Sequence, residues 1–152
     1  MQNIKTWRNG EKLVADYMKK EGYKIVYTNF YCKIAELDIV AILPKKVQKR
    51  LIKYENKIKI KDLTDKTKIK LLKFNLKNKL KLVSDILVIT EVKSRENNKF
   101  GMGLDAIDAR KIQHLKRGAE VLLKMKKFSG MKVRFDVASV DLGEITYIED
   151  AI

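Results

Sequence analysis

The sequence predicts a single α/β domain, a mixed central sheet flanked by helices. Three features carry that prediction. Runs of aliphatic and β-branched residues recur at strand length, most clearly in Asp85-Ile-Leu-Val-Ile-Thr-Glu-Val-Lys93. Two longer stretches space their apolar residues as amphipathic helices do. A chain of 152 residues, 45% of them apolar, has material for one core of ordinary size.

The first helix is expected from about Trp7 to Glu21, with Thr6 as N-cap and Gly22 closing it. Trp7, Val14 and Met18 make its buried stripe; Lys12, Asp16, Lys19 and Lys20 make its wet face. Glu11 falls on the buried stripe. It is either a first-turn acid favoured by the helix dipole or a carboxylate aimed at a site beneath the helix. Residues 24–31 alternate and read as a strand. Glu36 to Ile42 reads as a second strand, with Glu36 and Asp38 on one face together with Val40 and Ile42, and Leu37 and Ile39 on the other.

Pro44 ends that strand and opens a basic segment, about 44–83. Between Lys45 and Leu82 stand 15 Lys and Arg against three acids, so +12 of the chain's +15 lies there. The rest is nearly balanced in charge. Apolar residues at 72, 74, 76, 80 and 82 suit a strand, whereas Val47, Leu51 and Ile52 suit a short helix. A long β-hairpin extension and helices plus a loop both remain open. The segment is either a solvated excursion or a polyanion-binding arm, for nucleic acid or an anionic membrane surface.

The third strand, Ile86 onward, carries Glu91 and Lys93 at i and i+2, hence on one face. A structural ion pair at the sheet margin and a functional pair are the two readings. If the second and third strands pair, Asp38 and Glu91 approach one another, and a cation or proton must relieve their repulsion. Ser94 to Gly103 reads as a loop. Asp105 is the expected cap of a helix to about Lys127, with Ile112, Leu115, Ala119 and Leu122 inward. Val133 to Val140 and Ile145 to Ile148 are the last strands.

Several functions are excluded by what is missing. There is no Gly-rich phosphate loop, no internal repeat, and no Ser or Cys nucleophile spaced with a histidine. His114 is the only histidine and is expected at the surface; no histidine-based metal site is available. Cys32 is the only cysteine, which points to a reducing compartment. No apolar signal segment opens the chain and no apolar run is long enough to cross a bilayer, so a soluble cytoplasmic protein is the expectation.

The order helix, three strands, helix, strands, with acids on the first helix and second strand and Glu-x-Lys on the third, resembles the PD-(D/E)xK nuclease superfamily. Within it the chain resembles the small YraN-type proteins related to archaeal Holliday junction resolvases. The matching residues are Gly10-Glu11, Gly22-Tyr23, Asn29, Glu36-Leu-Asp38-Ile-Val, Glu91-Val-Lys93-Ser-Arg95, Phe100-Gly101, Lys111, Arg134-Phe-Asp136-Val and the ending Ile148-Glu-Asp-Ala-Ile. Ala35 stands where the family usually has glycine, and Ile112 where glutamine is frequent. The basic segment has no counterpart in compact members and reads as an insertion at a hairpin tip.

The resemblance implies a restriction-endonuclease-like αβββαβ core across residues 1–152 and a metal-dependent endonuclease acting on nucleic acid, DNA first. It implies Mg²⁺, with Mn²⁺ as a substitute, held by Asp38 and Glu91. Glu11, Asp38, Glu91 and Lys93 would form the catalytic set, with Glu36 behind them. Lys45, Lys46, Lys49, Arg50, Lys53, Arg95 and Lys111 are the expected phosphate contacts. A homodimer would suit action on a junction. The alternatives are a nucleic-acid-binding protein that keeps the fold without cutting, and a module whose basic arm binds an acidic protein.

Overall fold

The computed structural model describes residues 2–61, 64–81, 83–95 and 108–152. In chain order these form α1 (Gln2–Lys20), β1 (Lys24–Cys32), β2 (Ala35–Leu43), α2 (Lys45–Lys61), α3 (Lys66–Lys81), β3 (Ile86–Arg95), α4 (Ala109–Leu123), β4 (Lys132–Asp141) and β5 (Glu144–Ile148). The five strands lie side by side in sequence order. All neighbours are antiparallel except β3 and β4, which run parallel. A parallel pair needs a crossover, and α4 supplies it. The expected mixed sheet flanked by helices is thus observed.

Each sheet face buries one helix. Val14, Ala15 and Met18 of α1 pack with Ile39, Ala41, Leu43, Val88, Val92, Ala138 and Val140. On the other face Leu115, Ala119 and Leu122 of α4 pack with Leu37, Val40, Leu87 and Ile89. β3 is buried on both sides, which is why its sequence is continuously aliphatic. The close fit of α4 onto β2 depends on Gly118: a Cβ there would come within 2.8 Å of the Leu37 side chain and 3.1 Å of the Ala35 methyl.

Several element boundaries differ from expectation. Nothing between Gln2 and Lys5 breaks a helix, so α1 starts at Gln2, and Thr6 lies inside it instead of capping it. At its other end Gly22 takes the left-handed conformation (φ 94°), and Tyr23 N–H bonds the Met18 carbonyl. The crossover helix begins at Ala109 behind Asp108, whose carboxylate accepts from Lys111 N–H. Asp105, Phe100 and Gly101 lie outside the described residues. That helix also ends early, because turns after Lys124 fold the fully buried Phe128 back under the sheet. Ser94 and Arg95 belong to β3, since pairing with β4 continues to Arg95↔Asp141.

The strict alternation expected along β2 fails at Asp38. Leu37 packs with Val40, on the α4 face, while Ile39 packs with Ala41, on the α1 face. Leu37 and Ile39 therefore lie on opposite faces. On the paired strand Asn29 has φ 54°, between the pairs Thr28↔Ile39 and Phe30↔Leu37, which keep one register.

The basic connection between β2 and β3 is two helices, which removes the β-hairpin alternative. Asp65 caps α3 by accepting from the N–H groups of Thr67 and Lys68 at 2.7 and 3.2 Å. Ile69, Leu72, Leu76 and Leu80 are partly covered and recur at helical spacing, whereas Phe74 is 62% exposed. The apparent alternation of this stretch was therefore the i, i+4 row of a helix, with Phe74 off the covered side.

One polar network is buried against the α1 face. Asp136, fully buried, accepts from Arg134 Nε and Nη2 at 2.8 and 2.7 Å, from Tyr147 OH at 2.7 Å and from Asp150 N–H at 3.0 Å. Arg134 also reaches Glu149 and Tyr23, and Tyr147 OH lies 3.1 Å from Thr90 Oγ1. Every acceptor position of Asp136 is used, so the network ties β5 and the residues after it to the centre of the sheet. Asp136→Ala leaves Arg134 Nε without its acceptor, with Glu149 and Tyr23 still holding the rest of the guanidinium, and should cost about 3 kcal/mol, read as a lowered midpoint in urea denaturation.

Candidate functional site

The β2–β3 ladder ends before β3 does. It runs from Leu43↔Ile86 to Ile39↔Thr90, while β3 goes on to Arg95 beside β4. At this fork a side chain replaces the missing backbone partner: Val92 N–H donates to Asp38 Oδ2 at 2.8 Å. The bond holds the Asp38 carboxylate next to Glu91, and charge–charge repulsion between the two acids is felt at Glu91.

Glu91 follows Leu87 and Ile89 on the α4 face and is 8% exposed. Its Oε1 is ion-paired with Lys111 Nζ of α4 at 2.8 Å. Its Oε2 is buried with no hydrogen-bond partner. Burial, and then the neighbouring Asp38 charge, push the Glu91 carboxyl up to about 7, against a partial pull downward from Lys111. With both acids ionised, neither can donate a hydrogen to the other. A proton or a cation between them would satisfy the orphaned oxygen.

The other expected site residues are distributed around this pair. Lys93 lies two positions beyond Glu91, on the same face by strand alternation, and is partly buried. Glu11 arrives from α1, across the opposite face, and its Oε2 accepts from Asn29 Nδ2 at 2.6 Å. Its neighbour Gly10 sets that approach: a Cβ there would stand 2.9 Å from the Ser94 Cβ, so α1 crosses directly over the end of β3. Glu36 is exposed near the end of β2, close enough for its charge to act on Lys111. Lys45, Lys46, Arg50 and Lys53 are exposed along α2, with Lys49 partly covered. The side chain of Arg95 lies outside the described residues.

Lys111 is the residue whose placement differs most from a plain phosphate contact. Burial works against its charge, but the Glu91 carboxylate, with Asp38 and Glu36, raises its pKa overall. The sequence signal for this was thin: Lys111 and Glu91 are twenty positions apart on different elements. Asn29 was legible as a matching residue but not as the partner of Glu11.

Among the described residues no three His, Cys, Asp or Glu side chains converge as a ready metal cluster. The donor set that does exist is the two carboxylates of Asp38 and Glu91, the latter with one oxygen, Oε2, unsatisfied. It fits a hard cation such as Mg²⁺, which binds through one or two carboxylates and keeps several waters.

The family model described as uncharacterised protein family UPF0102 matches residues 10–140, from Gly10 on α1 through β2, β3 and most of β4. The chain belongs to the UPF0102 family. A UPF0102 protein of Caldanaerobacter subterraneus subsp. tengcongensis is 30% identical over 133 residues, covering 88% of this chain and 76% of the relative. One from Fusobacterium nucleatum subsp. nucleatum is 32% identical over 137 residues, covering 90% and 82%. One from Alkaliphilus metalliredigens is 27% identical over 145 residues, covering 93% and 92%. The UPF0102 match spans Asp38, Glu91, Lys93 and Lys111 together.

The Glu91 environment has a consequence for stability in this UPF0102 chain. An acid with a higher pKa folded than unfolded is more readily protonated in the native state. Its contribution therefore favours folding at low pH and is lost as pH rises from the ordinary 4.5 through about 7. Glu91→Gln removes that penalty. It should raise stability at pH 8 and give a smaller gain at pH 5, with the difference changing by at most about 1.4 kcal/mol per pH unit. Chemical denaturation at the two pH values checks this.

Proposed function

We propose that this chain is a metal-dependent nucleic-acid-processing protein of the PD-(D/E)xK kind, hydrolysing phosphodiester bonds, with DNA the first substrate class to test. The observation that carries the reading is the pair of carboxylates at the β2–β3 fork, with Glu91 Oε2 buried and unsatisfied. A pure polyanion binder gains nothing from carboxylates gathered where phosphate would lie, since they repel it.

Asp38 and Glu91 would hold Mg²⁺, or Mn²⁺ in its place. The ion would polarise a phosphodiester oxygen and lower the pKa of a bound water. Lys93, on the face of Glu91, would stabilise the charge that develops on the phosphoryl oxygens as the attacking oxygen approaches. Glu11, oriented by Asn29, would position water at the fork from the α1 side. Glu36 lies at the margin and adds negative potential more than a direct contact. Asp38 has a double duty: its Oδ2 bond to Val92 keeps β2 and β3 in register at the point where the carboxylates meet.

The α2–α3 pair favours a second reading, a nucleic-acid-binding protein that keeps the fold without cutting. Its lysines are exposed and nearly unopposed by acids, which suits contacts to phosphates and a strong salt dependence. The two readings share the arm and differ at the fork.

Incubation with branched, nicked and single-stranded DNA in Mg²⁺ or Mn²⁺ tests the enzymatic reading. Cleavage by the native chain, with at least about 100-fold loss in both Asp38→Ala and Lys93→Ala, is the expected outcome. Cleavage that survives both substitutions, or no cleavage of any substrate, counts against it. For the arm, changing Lys45, Lys46, Arg50 and Lys53 together to Gln should weaken DNA binding and flatten the slope of log K against log salt by up to about three to four. Fluorescence anisotropy across a salt series measures it, and an unchanged slope would place the phosphate contacts elsewhere.

A further inference from the structure

Lys111 stands where a lysine is unfavourable on local grounds. It is in the first turn of α4, immediately behind the Asp108 cap, and its own N–H is bonded to the Asp108 carboxylate at 2.7 Å. The first turn is the positive end of the helix dipole, where acids are stabilised and cations are not. Arg110 and Lys111 both lie there, and the turn holds no acid. What offsets this at Lys111 is Glu91, 2.8 Å from its ammonium, together with the more distant charges of Asp38 and Glu36.

The compensation is incomplete. One ammonium meets one oxygen of Glu91 and leaves the other buried and unsatisfied. A single positive charge therefore serves a group of acids that together carry more negative charge than it balances. The ammonium is also closer to solvent than the carboxylate it pairs with. The Lys111 side chain is 35% exposed against 10% for Glu91, so its four-carbon stem can carry the ammonium to solvent once another cation takes its place at the buried carboxylate.

We propose that Lys111 is an exchangeable cation: it occupies Glu91 while no divalent ion is present, is displaced when one binds, and then turns its ammonium to a phosphate of the bound strand. The proposal rests on the reading that Asp38 and Glu91 hold a divalent ion, and it adds an order of events. A divalent ion on Glu91 Oε2 would repel the ammonium held on Oε1 of the same carboxylate, which weakens the hold of Glu91 on Lys111. Displacement makes the ammonium available beside the carboxylates, where a phosphate would otherwise meet only negative charge. Metal and polyanion then assist one another's binding, and by linkage the assistance is mutual. Lys111 is a positioning residue in this scheme, acting through Glu91 before it acts on a ligand.

The test uses the full chain carrying ¹³Cε-labelled lysine, with the Lys111 signal assigned by its loss in Lys111→Arg. During a Mg²⁺ titration the Lys111 signal is expected to move along the same saturation curve that calorimetry gives for Mg²⁺ binding. A signal that stays fixed while calorimetry registers a bound ion overturns the exchange and leaves the carboxylate reading intact. Calorimetry that registers no Mg²⁺ or Mn²⁺ overturns the carboxylate reading and the exchange with it. A second arm compares Mn²⁺ affinity of the native chain and Lys111→Gln in mildly alkaline buffer. Removal of a competing cation should tighten Mn²⁺ binding roughly five-fold or more, the lower range of ordinary coupling between sites. A merely structural ion pair predicts unchanged or weaker Mn²⁺ binding, and either result rejects the proposal.

Discussion

The hydrogen bond from Val92 N–H to the Asp38 carboxylate is the constraint on which the candidate site depends. A strand that outruns its neighbour leaves backbone groups without a ladder, and buried ones must find another partner. Here the partner is a side chain, and it is an acid. Closing the gap this way sets one carboxylate beside another in a place where burial already disfavours charge. The elevated pKa of Glu91, its ion pair with Lys111 and its unsatisfied oxygen all follow from that arrangement.

The rest of the fold works to keep the fork in place. Helices on the two faces hold β3 rigid through aliphatic contacts on both sides. The Asp136 network reaches Thr90, the residue immediately before Glu91, through Tyr147. Close approaches at Gly10 and Gly118 bring α1 over the end of β3 and α4 onto the end of β2. Two small residues thus decide how near both helices come to the acids, which is a tighter requirement than general apolar packing.

The α2–α3 pair obeys different physics. It leaves the sheet between two adjacent antiparallel strands, where the chain needs only a tight turn to continue. Val47 is its buried anchor, packed over Gly22 at the end of α1. Beyond that anchor the helices cover mainly one another and present lysine to solvent. Such a segment adds electrostatic reach without altering the core, so its charge and the fork's carboxylates can coexist in one small chain.

The sequence by itself determined the fold class, because hydrophobic period depends only on neighbouring residues: the buried aliphatic run of β3, the amphipathic rows of α1 and α4, and the strands on either side. It also marked Asp38 and Glu91 as acids that would meet if their strands paired. Local pattern could not resolve the basic segment, where helical i, i+4 rows imitate alternation, nor the reversal at Asp38, which puts Leu37 and Ile39 against different helices. Only the tertiary structure decided that Lys111 partners Glu91, that Asn29 holds Glu11, and that Glu11 comes from the face opposite Glu91. Those pairings join residues far apart in the chain, and their energies depend on burial and distance, quantities that exist only once the sheet and its helices are assembled.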